Sequence, residues 1–356
     1  MKARALLIPL LATVISSFAQ TPSGSDAEPQ NDPRILLATV AHSYDFNSPD
    51  LKPWHLKASY QFFDDHGNPS DQGVYEFWWV SPKVHRSTWK RGDAEHAEWS
   101  VADGTLYRKD TGAPLRYFER TLTDNLFDPL PQQSSLDSGA FQLDVRKITS
   151  GSVELICVSS VLRKLVGVEP FSRSVAEPRN YCFEPSTLAL RLTSSNPILV
   201  EFSHIVRMEE HNLSREIITS IRKRNVFSLS VNTIDGISPD DKALVPPLDA
   251  ARTDPVVTQP NPVERGGVAA GSLVKKVQPI YPLSAKMSHE QGVVLLAATI
   301  GTDGKVQNLE VLDTPSRPLS ESALDAVRKW EYKPFLFNGT PVQVETIVNV
   351  IFSLGR

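Results

Sequence analysis

The end of the chain constrains the fold most. Val342, Val344, Thr346, Val348, Val350, Phe352 and Leu354 recur at every second residue, and Gln343, Glu345, Asn349 and Ser353 hold most of the positions between them. Only an extended strand puts alternate residues on opposite faces, so this is a long strand with one apolar and one mostly polar face. Such a strand is expected to pack a helix on one side and to meet water on the other. A helix is available upstream. After Pro318, the residues Leu319, Ala323, Ala326, Val327 and Trp330 form one apolar stripe at helical spacing, with Ser320 as the expected N-cap and Asp325 and Lys329 as an outward ion pair. Before it, Gly292–Ile300 reads as a strand apolar on both faces. It turns on Gly301-Thr302-Asp303-Gly304 and returns from Val306 to Leu312. Pro334 and Asn338-Gly339 break and turn the chain before the last strand.

The full chain of 356 residues is long enough for two domains. Residues 34–247 read as a β-rich domain. Leu56–Phe62 alternates with period two, Asp64-Asp65-His66-Gly67-Asn68-Pro69 is a turn cluster, Val74–Val80 and Val84–Trp89 are strands around Ser81-Pro82-Lys83, and Asp103-Gly104 precedes Leu106-Tyr107-Arg108 as a hairpin turn. Repeated short strands with this punctuation predict an antiparallel, curved sheet or half-barrel. Residues 248–268, in a Pro-rich stretch that begins near 237, read as a flexible linker. About 30 such residues reach at most ~100 Å and span ~30 Å on average, so the expectation is two tethered domains. The second domain would occupy 269–356, and the fold class is α+β. With 40% hydrophobic and 22% charged residues and a net charge of −4, the chain is too apolar for disorder and too balanced for a dedicated nucleic-acid binder.

The first residues, Met1-Lys2-Ala3-Arg4, are basic. Ala5–Val14 is apolar, and Ser17-Phe18-Ala19 offers small residues before a cut at Gln20. This pattern predicts a secretory signal peptide over 1–19, followed by a polar tether over 20–33; the other reading is a retained anchor helix, for which the apolar run is short and interrupted by Pro9. Export gives meaning to the two cysteines, Cys157 and Cys182, which sit in strand-like segments that would pair as neighbours. A disulfide closing that loop is expected, with two buried free thiols as the alternative. No C-x-x-C occurs, so thiol-redox catalysis has no support.

The C-terminal motifs together carry a resemblance. Gln278-Pro279-Ile280-Tyr281-Pro282, the hairpin on Asp303-Gly304, Ala326-Val327-Arg328-Lys329-Trp330, Glu331-Tyr332-Lys333-Pro334 and Asn338-Gly339-Thr340-Pro341-Val342 occur in an order and spacing that resembles the TonB C-terminal domain family over residues 273–354. The resemblance implies a two-layer α/β domain that binds an extended peptide of an outer-membrane transporter by adding it to a sheet edge. It implies partner contacts at Gln278, Pro279, Tyr281 and Pro282, and along the last strand at Val342, Val344, Glu345 and Val348. Trp330, Tyr332 and Pro334 are read as core and turn residues, and Tyr281 as either packed or recognising. Domains of this kind also pair as homodimers, through the same edge. The chain departs from the transducing members of that family: residues 5–19 contain no His, and the linker is much shorter than a Pro-rich spacer crossing the periplasm.

The first domain resembles, more weakly, the LolA-type lipoprotein-carrier fold, on Gly73–Arg86 and Val101–Tyr107. That likeness implies a concave apolar face able to hold a lipid ligand, lined by Phe62, Phe77, Trp79 and Trp89; the alternative is that these four fill a closed core. No metal spacing, Gly-x-Ser-x-Gly elbow or phosphate loop occurs, and Glu209-Glu210-His211 reads as a solvated turn. The expectation is a non-enzymatic envelope protein with no cofactor or metal, recognising a protein partner. Alternatives are a periplasmic carrier of lipid or lipoprotein and a structural cell-wall-associated protein.

Overall fold

The computed structural model describes residues 32–48, 50–131, 141–150, 153–162, 179–254, 256–258, 268–269, 273–337 and 339–354. The expected signal peptide and nearly all of the polar tether lie outside them, and no described helix is long and apolar enough to cross a membrane.

The molecule is mostly antiparallel β. Its large sheet is made by β1 (Trp54–Phe63), β2 (Pro69–Ser81), β3 (Val84–Arg91), β4 (Ala94–Ser100), β5 (Leu106–Thr111), β6 (Phe141–Ser150), β7 (Val153–Leu162), β8 (Arg179–Phe183), β9 (Leu190–Ser195), β10 (Ile198–Met208), β11 (His211–Ile221), β12 (Arg224–Gly236) and β13 (Ala251–Thr253). These run in the order β13-β5-β4-β3-β2-β1-β12-β11-β10-β9-β8-β7-β6. Neighbours in this order are consecutive in sequence except where β13 meets β5 and where β1 meets β12, so the sheet is two meanders joined at the β1–β12 seam with β13 added at one edge. Within β1 the residues Trp54, Leu56, Ala58, Tyr60 and Phe62 are buried, as period-two alternation requires.

Three helices cover the apolar face. α1 (Pro33–Ala41) starts where Asp32 accepts from the N–H groups of Arg34 and Ile35 at 2.8 and 3.3 Å, and it buries Leu36, Leu37 and Val40. α2 (Tyr117–Arg120) and α3 (Leu122–Phe127) add Tyr117, Phe118, Leu122, Leu126 and Phe127. Glu119 fastens α2 to the sheet: its carboxylate accepts from Tyr60 Oη at 2.5 Å and Arg91 Nε at 2.9 Å. Phe62, Phe77, Trp79 and Trp89 are all buried in this core.

Two expectations for this part change. His211 does not sit in a solvated turn: it is 0% exposed at the start of β11, against the rings of His42 and Phe46, while Glu209 and Glu210 stay in water. Asp50 is its nearest charge, at 3.6 Å. The described part of the 248–268 segment is not free chain either. β13 pairs with β5, and β14 (Val256–Thr258) pairs with the last strand of the protein. The Pro-rich composition hid two short strands. Cys157 and Cys182 face each other across β7 and β8 and form the expected disulfide, packed by Leu155, Ile148 and Leu192.

The small sheet comprises β14, β15 (Val268–Ala269), β17 (Gly292–Ile300), β18 (Val306–Asp313), β20 (Phe335–Phe337) and β21 (Thr340–Phe352), ordered β15-β20-β21-β17-β18 with β14 against β21. β16 (Leu273–Lys275) and β19 (Glu331–Tyr332) form a separate ribbon. The β17–β18 turn depends on Gly304, whose φ is +79° and whose absent Cβ would lie 2.0 Å from the Tyr332 carbonyl oxygen. Two short helices complete this part: α4 (Leu283–Met287) and α5 (Arg317–Val327). α5 lays Leu319, Ala323, Ala326 and Val327 on the sheet, with Trp330 just beyond it. Its N-cap is Ser316, not Ser320, whose hydroxyl instead donates to the Arg317 carbonyl; Pro318 is inside the first turn, where proline is tolerated. Asp325 pairs with Arg328 rather than Lys329.

Part of the second face of this sheet is covered rather than left to water. Leu295, Ala297 and Leu312 are continuous with the core of the large sheet, and Ile347 packs against it. Charged groups rim the contact. Glu310 accepts from the Tyr117 N–H at 2.8 Å, and Asp313 is held by Arg222 and Arg224 at 2.6 and 3.2 Å. Burial pushes the Glu310 carboxyl above its ordinary range, with the Tyr117 N–H and Arg120 opposing the shift. Glu345, 2% exposed, takes the Thr299 hydroxyl at 2.7 Å and lies 3.1 Å from Arg120. The second contact is an ion pair without an aligned hydrogen bond, since Glu345 Oε2 accepts none.

Two stability measurements follow from these contacts. Reducing the disulfide, which closes a loop of sequence separation 25, is expected to lower the unfolding free energy by about 3 kcal/mol in urea titrations. Arg120→Met strands a buried carboxylate and is expected to cost about 3 kcal/mol; adding Glu345→Gln should restore a large part of it, because the loss comes mainly from an unpaired charge. Equal effects in the single and double variants would show that Arg120 contributes packing alone.

Candidate protein-docking site

A strand in a sheet needs hydrogen-bond partners along both margins. β21 meets that need on one side over Val344–Phe352, where β17 pairs with it from Ile300↔Val344 to Gly292↔Phe352. The other margin is filled in sections. β20 takes Thr340 to Val342, where Val342 pairs with Phe335, and β14 takes Gln343 to Glu345 in parallel. Val344 and Glu345 thus have strand neighbours on both sides: Ile300 and Val257 for the first, Thr299 and Thr258 for the second. Beyond them, the described residues place no strand beside Val348–Phe352 on that margin.

The residues expected to contact a partner therefore divide. Val342, Val344 and Val348 point their side chains into the core under α5 and offer only backbone. Glu345 is committed to Thr299 and Arg120. β21 ends at Phe352, leaving Leu354 outside it. Ile351, which was not among the expected contacts, is exposed on the opposite face from the α5-packed residues.

The Gln278–Pro282 segment is held beside the end of this strand. It is anchored to the α5 region: just before it Trp330 Nε1 donates to the Val277 oxygen at 2.8 Å, and within it the Ser322 hydroxyl donates to the Ile280 oxygen at 2.5 Å. Tyr281 is packed, edge-on to Phe352 at 5.4 Å, with its hydroxyl donating to the Glu290 carbonyl. Gln278 is exposed, and Pro279 and Pro282 are half-buried. The Tyr281–Phe352 contact brings the two sequence-predicted parts of the site together.

Ile280, Leu283 and Met287 were missed from sequence, although they are 84%, 72% and 73% exposed. In α4 the buried residue is Ala285, and at 100° per residue Leu283 and Met287 both point away from it. The signal was present as two apolar residues four apart around a small one, but a helix this short has no periodicity to read. Among the described residues no group of His, Cys, Asp and Glu side chains could hold a metal ion.

Comparisons with known proteins bear on this region. Residues 277–354 match the family model described as Gram-negative bacterial TonB protein C-terminal. Protein TonB of Vibrio cholerae is 24% identical over 110 residues, covering 31% of this chain and 43% of the relative; Protein TonB of Xanthomonas campestris is 33% identical over 78 residues, 22% and 35%. The chain thus spans less than half the length of these relatives. The solution structure of the Pseudomonas aeruginosa TonB C-terminal domain is 26% identical, covering 24% of this chain and 90% of that one, with a TM-score of 0.21. A LolA superfamily protein from Nitrosomonas europaea is 9% identical, covering 59% and 97%, with a TM-score of 0.37. At those TM-scores the structural likenesses carry no argument. The sequence match is confined to one part of the chain: residues 277–354 are similar to the C-terminal domain of Gram-negative bacterial TonB.

Proposed function

We propose that this is a non-enzymatic cell-envelope protein that binds an outer-membrane protein by adding a strand of that partner to β21. The observation that carries the reading is the margin of β21 over Val348–Phe352, which no described strand pairs; the exposed Ile280, Leu283 and Met287 belong to the segment that packs Tyr281 on Phe352. Backbone groups on the margin would supply general affinity, and the apolar side chains on α4 would supply selectivity. The TonB-like match of residues 277–354 supports the class of partner. The buried disulfide fits an oxidising compartment such as the periplasm.

Site-specific photocrosslinking tests this in intact envelopes. A photoreactive residue at Ile351 or Ile280 is expected to capture an outer-membrane β-barrel protein, identified by mass spectrometry. The same group at Asp325, on the solvent side of α5, should not. Equal products from all three positions, or none from the first two, would refute the reading.

A further inference from the structure

We propose that β14 is a built-in competitor for the docking margin, so that the chain restrains its own partner binding until this strand is displaced; the proposal rests on the function just given. Four observations lead to it. β14 pairs in parallel with β21 at Val256↔Gln343, Val257↔Val344 and Thr258↔Glu345, on the margin where an incoming strand would add. Its contact with β21 is a backbone ladder, the same kind of contact that strand addition uses. It is also delivered at close range. β13 is fixed to β5 by Ala251↔Arg108, Arg252↔Tyr107 and Thr253↔Leu106, and only Asp254 and Pro255 separate the two strands. A segment held so near its target acts at an effective concentration in the millimolar range.

The fourth observation is that the sequence flanks this competitor with proline. Pro255 precedes it, and Pro260 and Pro262 follow shortly after. Proline has no N–H to donate, so these positions can add no donor to a ladder along β21. A partner segment free of proline can pair at Val348–Phe352 first and then extend toward Gln343, stripping β14 as it goes. The triplet Val256-Val257-Thr258 is entirely β-branched and lies in a stretch otherwise rich in turn and linker residues, as a segment selected to act as a strand would be.

The test uses the full chain and a soluble peptide of alternating Val and Thr, long enough to span Gln343 to Val350 and capped with Lys at both ends. In the comparison chain, Val257→Pro and Thr258→Pro replace two successive residues, one of whose N–H groups must face β21 because alternate groups do. Amide exchange should show those amides of Gln343–Glu345 that face β14 losing protection in that variant while the β17 amides keep theirs, which also verifies folding. The peptide is expected to bind the variant at least about tenfold more tightly than the parent, protecting amides from Gln343 to Val350. Equal affinity for both chains would overturn the competitor role and leave the margin's function standing. Binding to neither would overturn the margin reading, and the competitor role with it.

Discussion

The backbone of β21 is the constraint on which the rest of this architecture turns. One margin is satisfied by β17 over Val344–Phe352, one face is packed under α5, and Ile347 on the other face joins the core shared with the large sheet. What remains open to choice is the second margin, and there the chain uses β20, then β14, and then no described strand. Unpaired strand edges are a hazard that proteins ordinarily cover. Here the covering among the described residues is partial and built from short pieces, as the proposed docking would require.

The contact between the two sheets gives the docking strand its rigidity. Leu295, Ala297 and Leu312 remove apolar surface from water, while Asp313 with its two arginines and Glu345 with Arg120 fix the orientation. Buried charge pairs contribute little net stability but penalise any arrangement that separates them. A strand clamped this way can pair with a partner without first paying to become ordered itself.

Local pattern revealed the elements well and their arrangement poorly. The alternation of Val342 to Phe352 and the stripe from Leu319 to Trp330 gave β21 and α5 almost residue for residue, because period two and period 3.6 follow directly from backbone geometry. The Cys157–Cys182 pairing was legible for the same reason. Glu345 was misread because a lone carboxylate on a polar strand face looks the same whether it meets water or an arginine 225 positions away in sequence, at Arg120. β13 and β14 were hidden by the prolines around them, and α1 by its place beside a polar leader stretch. Of the candidate site, Gln278–Pro282 and the strand were named from the sequence, whereas the exposed face of α4 needed the helix to be seen in place.

The closeness of β13 and β14 has a mechanical corollary. From Thr253 to Val256 the chain takes three Cα steps, about 11 Å when fully stretched. While both strands stay paired, the large and small sheets have almost no clearance to slide or swing apart. Any rigid-body excursion of one past the other must begin by peeling a three-residue ribbon. The sheets are thus latched by two three-residue ladders joined by a short stretch of chain, and the order of events under load is set by that chain's contour length.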